Sequence, residues 1–132
     1  MKKINSQILT TFILIFGGFL SSCSDLGTEP QEISLKQAEE IILSKLLNGD
    51  DTGKIVYELQ NKIKADTAIY SANSIYLVPA NSWFFFIDDL PGYFWVHPCR
   101  YVFISCAGGK EKVYEGDLYP PRNLDSLKVV KF

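Results

Sequence analysis

Three successive phenylalanines, Phe84, Phe85 and Phe86, sit inside the run Trp83-Phe84-Phe85-Phe86-Ile87-Asp88. Successive side chains of a strand point to opposite faces, so in extended backbone these rings occupy both faces at once. Such a strand is expected to be covered on both sides, with its rings in the core. The rest of the chain has to supply that cover.

The first cover is a helix. Ser34 is suited to cap it, Gln37 stands three residues on as the second half of a capping box, and Ile33 is placed to staple onto Ala38. Leu35, Ala38, Ile42 and Leu46 recur at helical spacing, Ile41, Leu43 and Leu47 widen the stripe, and Lys36, Glu39, Glu40 and Lys45 are expected to face water. Asn48-Gly49 ends it, and the Gly- and Asp-rich segment 48–53 reads as a turn, since it lacks the alternating oxygen ligands of a calcium loop.

Beyond Gly53 the period becomes alternating. Ile55, Tyr57 and Leu59 fall on one face, with Glu58 and Gln60 opposite, in a half-buried strand running toward Ile63. Further strands are expected at Ser74–Val78, Trp83–Asp88, Cys99–Cys106 and Glu111–Glu115, the last two joined as a hairpin through Ala107-Gly108-Gly109-Lys110. Pro120-Pro121 routes the chain to a short charged edge strand around Val129 and Val130. The fold class is α+β: one N-terminal helix packed on an antiparallel sheet of about four to five strands. This order, with the helix ISLKQAEEIILSKLL and the hairpin YVFISCAGGKEKVY, resembles small α+β modules of the PepSY, propeptide-like or cystatin-like kind. The resemblance spans about residues 33–117 and implies binding or inhibition rather than chemistry.

The N-terminus sets an address. Lys2 and Lys3 precede an apolar run from Ile8 to Leu20, too short for a membrane span of about 20 residues but suited to a signal sequence. Leu20-Ser21-Ser22-Cys23 follows, and with this lipobox the chain resembles a bacterial lipoprotein over residues 1–23. That resemblance implies cleavage after Ser22, a diacylglycerol on the Cys23 sulfur and an acyl chain such as palmitate on its amine. Two or three chains anchor stably at about 0.8 kcal/mol per buried CH₂. Ser24, where Asp would favour inner-membrane retention, makes the outer membrane of the bacterial cell envelope the expected location. Asp25 and Glu29 are similar to the acidic stretch that follows the lipidated Cys in Bacteroidetes-like lipoproteins.

The organisation expected is therefore a signal peptide over 1–22, a lipidated Cys and flexible tether over 23–32, and a single domain over 33–132. Loss of Lys2 and Lys3 takes the formal net charge from −2 to −4, leaving no basic patch for nucleic acid.

Nine of the 15 aromatics outside the signal lie in Trp83–Phe103, so this stretch holds both core and any aromatic binding surface. Tyr93, Phe94 and Trp95 follow Pro91-Gly92 in what reads as a loop or short strand, where exposed rings grip a sugar or a protein side chain. They are the candidate ligand contacts, for a protein or glycan partner.

His97, Cys99 and Cys106 are the residues with site chemistry. In an extended strand His97 and Cys99 project to one side about 7 Å apart, a spacing that admits a metal or a thiol nucleophile with Asp88 and Asp89 nearby. Pro98 disturbs that geometry, no CxxC or HxxxH pair is present, and Cys106 has the opposite parity, so packing at a strand start is the simpler role. Seven residues of strand span about 23 Å, whereas a disulfide needs Cα atoms about 4.4 to 6.8 Å apart, so Cys99 and Cys106 are expected as free buried thiols if one strand holds both. No catalytic constellation, metal site or cofactor is expected. The reading is a membrane-anchored lipoprotein with a non-catalytic binding or inhibitor-like domain, and the alternative is a metal- or thiol-dependent activity at His97 and Cys99.

Overall fold

A computed structural model of the chain describes Gly27 and residues 30–94 and 96–132; Cys23, the expected signal peptide and most of the expected tether lie outside the described residues. The fold is mixed α and β. Helix α1 (Leu35–Ile41) leads into a π-helical turn (Ile42–Leu46), and seven strands follow: β1 (Ile55–Glu58), β2 (Ala68–Tyr70), β3 (Ile75–Leu77), β4 (Ser82–Asp88), β5 (Cys99–Ser105), β6 (Glu111–Asp117) and β7 (Lys128–Val129). Five form an antiparallel sheet in the order β6-β5-β4-β1-β7, and β2 and β3 form a separate hairpin.

The capping box forms with both arms. The Gln37 backbone N–H donates to Ser34 Oγ at 3.2 Å, and the Ser34 N–H donates to Gln37 Oε1 at 2.8 Å. Gly49, at φ +79°, closes the helix by donating its N–H to the Leu43 carbonyl at 2.8 Å.

Strand β4 is buried along its whole length, and its two faces meet two different cores. Trp83, Phe85 and Ile87 pack with Ala38 and Ile42 of the helix and with Val102, Ile104 and Cys106. Phe84 and Phe86 pack on the other face with Tyr101, Phe103 and Cys99, under the β2–β3 hairpin through Ile69 and Tyr76 and under Leu124 and Leu127. The sheet is thus covered twice, as the Phe triplet requires.

Three expectations need correction. Ser74–Val78 does not join the main sheet: its core, β3, pairs with β2, a strand whose Ala-Ile-Tyr sequence is too short to show a period, and together they make the second cover. Glu58 does not face water beside Gln60. It lies across from Phe85 on the helix-covered face and is only 4% exposed, because β1 too is covered on both sides, with Val56 and Glu58 toward α1 and Tyr57 and Leu59 toward the second core. The strand stops at Glu58, and Ile63 returns only as an isolated bridge to Ser82. The other edge strand forms at Lys128–Val129, paired antiparallel to β1.

Candidate functional site

The residues singled out for site chemistry gather where β4 hands over to β5. Asp88 and Cys99 are register partners at the ends of those strands, so residues 89–98 form a loop standing on a closed ladder. The sequence builds it from Pro91 and Gly92, the latter at φ +92°, which turn the chain back on itself. At its tip Phe94 is 100% exposed and Tyr93 72% exposed, with Val96 and Leu90 exposed on either side. Trp95 lies outside the described residues. Val96 has φ +131°, a backbone region that a β-branched residue adopts only under strain.

The foot of the loop is held by polar contacts. Asp88 Oδ1 accepts the Leu90 N–H at 3.0 Å and lies 2.7 Å from His97 Nε2, and His97 Nδ1 lies 3.2 Å from the Phe94 carbonyl. Both ring nitrogens therefore face acceptors, an arrangement that only the doubly protonated imidazolium satisfies in full. Burial alone would lower the His97 pKa, but the Asp88 hydrogen bond, the Phe94 carbonyl and the charges of Asp88 and Asp89 outweigh it and raise it. Beside this pair Arg100 grips Asp89 with two bonds, Nε to Oδ2 at 2.9 Å and Nη2 to Oδ1 at 2.8 Å, while Nη1 donates to the Leu46 carbonyl at 3.1 Å. The loop is tied by this fork to the end of the helical segment. Nothing in the sequence flagged Arg100, because a bidentate partner eleven residues away has no local pattern.

His97 and Cys99 do not act on a common atom. β5 begins at Cys99, so His97 stands in the bend before it and turns back to Asp88, whereas the Cys99 thiol enters the second core and meets the Asp117 and Tyr119 carbonyls at 3.2 and 3.3 Å. Burial, then the charge of Asp117, pushes the Cys99 thiol up to about 12, which denies it thiolate character near neutral pH. Cys106 is also a buried free thiol and packs on the opposite face of the sheet, in the helix-side core. Among the described residues no group of three or more His, Cys, Asp or Glu side chains is arranged to hold a metal ion.

The loop itself presents bare aromatic and aliphatic side chains above a foot that is fixed by polar contacts. Compared with protein-family models, curated proteins and solved structures, the chain matches none.

Proposed function

We propose that this chain is a lipoprotein anchored in the bacterial envelope through Cys23, and that its domain is a non-catalytic binding module whose contact point is the loop bearing Tyr93, Phe94 and Trp95. The observation that supports this most is Phe94. A fully exposed Phe costs solvation, since burying such a side chain is worth about 1.5 to 3 kcal/mol, and here it stands on a loop fixed by an ion pair and a bidentate fork. A ring held out in this way is suited to enter a partner's pocket or to lie against a sugar.

The route of the chain agrees with an anchored module. Glu32 bridges Ala107, and the Ile33 N–H donates to the Cys106 carbonyl at 2.8 Å, so the tether enters beside the C-terminal end of β5. The aromatic loop stands at the N-terminal end of the same strand, about 20 Å away at about 3.3 Å per residue. A domain attached at the first end offers the second to whatever faces the membrane.

Site-specific photocrosslinking in cells tests the proposal. A crosslinker at position 94 of the full chain is expected to capture a discrete partner or glycan that one at Lys112, exposed on β6, does not. Equal capture at both positions, or none at 94, would overturn the loop as the contact point. Lipid labelling lost with Cys23→Ala tests the anchor separately.

A further inference from the structure

The β2–β3 hairpin breaks the alternation that an outer layer normally keeps. Its inner residues, Ile69 and Tyr76, pack into the second core, as a cover must. Its outward residues pair as Ala68 with Leu77 and Tyr70 with Ile75, and all four are aliphatic or aromatic. Ile75 is 62% exposed, Leu77 56% and Tyr70 46%, whereas a hairpin with one face on a core is expected to turn polar side chains to water on the other. No charged residue lies between Asp66 and Asp88, in a chain of which 21% is charged.

Cations border this face. Arg122 donates its backbone N–H to the Tyr70 carbonyl at 2.8 Å and its Nε–H to the Ser71 carbonyl at 3.1 Å, which sets its guanidinium 5.8 Å from the centre of the Tyr70 ring. Lys62 and Lys64 flank the root of the hairpin, where Ile63 bridges Ser82, and Asp66 is the one acid from Leu59 to Ile87. Lys62 also forms an ion pair with Glu32, so the tether enters the domain beside that root.

We propose that this outer face rests on the bilayer that anchors the chain, with Ile75 and Leu77 entering the acyl boundary, Tyr70 at the headgroups, and Arg122, Lys62 and Lys64 toward lipid phosphates. The inference rests on the anchored reading given above. Area, chemistry and reach select lipid over a second copy. The exposed apolar surface is on the order of 300 Å², well short of the roughly 800 Å² that each partner brings to a stable protein pair. A lipid surface needs no matching shape, and an aromatic ring with a cation beside it suits the headgroup level. Nine residues lead from Cys23 to Glu32 and span at most about 30 Å, so the anchor and the face can meet one bilayer. Entry is shallow, because backbone groups on the free edges of the hairpin must stay with water or headgroups.

Spin labelling of the full chain tests the proposal, with a nitroxide on Leu77→Cys or, for comparison, on Lys112→Cys of β6; the native thiols Cys99 and Cys106 are buried. Each protein is mixed with excess vesicles of three parts phosphatidylethanolamine to one part phosphatidylglycerol. The ratio of oxygen to nickel-complex accessibility is expected to be at least threefold higher at position 77 than at 112, and Ile75→Asp, an exposed change that leaves both cores intact, should abolish the difference. Equal ratios at the two positions, or a difference that survives Ile75→Asp, would overturn the proposal, as would dipolar broadening between labels at 77, which would put a second copy on the face. Mass spectrometry of the same sample reads the lipid on Cys23, so a failure of the anchored reading shows there, while the label still reports on the hairpin because vesicles are present in either case.

Discussion

His97 Nε2 and Asp88 Oδ1 lie 2.7 Å apart and join the two ends of the aromatic loop across nine positions of sequence. Each partner also holds the loop's own backbone, Asp88 through the Leu90 N–H and His97 through the Phe94 carbonyl. The backbone of the exposed tip is thus tied to the strand ends through one imidazole and one carboxylate.

Because the folded pKa of His97 is raised above its unfolded value, its contribution to stability is complete below about pH 6.5 and is lost as pH rises through the folded value. Urea unfolding from pH 5.5 to 8.5 should show that decline, and His97→Gln should flatten it. Asp88→Ala, which leaves both the imidazole and the Leu90 N–H without their acceptor, should cost about 1 to 3 kcal/mol at pH 6.

Glu58 titrates in the opposite sense to an ordinary surface carboxylate. Its folded pKa is raised, so the folded state binds the proton more tightly than the unfolded chain and stability falls as pH climbs from the usual carboxylate range through the folded value. Glu58→Gln should remove that slope and stabilise the protein at pH 7.5 by about 1 to 3 kcal/mol. Thermal melts of the two proteins at pH 4 and 7.5 would show it, with the difference confined to the higher pH.

Both thiols should be unreactive while the chain is folded. Cys99 and Cys106 are buried on opposite faces of the sheet, so a thiol reagent should label them only after denaturation, and non-reducing mass spectrometry should find no bridge between them. An intramolecular disulfide would break the continuous β5 strand.

Core and tip phenylalanines should separate cleanly. Phe85→Ala opens the helix-side core and Phe86→Ala the opposite one, each at about 3 to 5 kcal/mol. Phe94→Ala should stay within about 0.5 kcal/mol of the parent in urea unfolding, since its ring touches water alone.

The parts of the fold with strong local patterns could be read directly from the chain. The Ser34–Gln37 capping box, the Cys99–Glu115 hairpin and the doubly covered Phe triplet depend on neighbours within a few residues or on strict alternation. What escaped is non-local. Ala68–Tyr70 has no period of its own and becomes a strand only by pairing with Ile75–Leu77, and Glu58 is buried because a helix encoded twenty residues earlier lies over it. In the loop, Tyr93 and Phe94 were legible as aromatics after a Pro-Gly turn, but their exposure depends on Asp88, His97, Asp89 and Arg100 meeting in space. His97 and Cys99, paired by spacing, part company because Pro98 separates a bend from a strand.

The chain enters the sheet beside the C-terminal end of β5 and presents its aromatic loop at the other. A partner pulling on that loop against a fixed N-terminus would load β4, β5 and β6 along their lengths. Antiparallel ladder bonds run across the strands, so such a load shears many of them together instead of unzipping them one by one. Loaded in that direction, the sheet would behave as a short, stiff link between the two ends of β5.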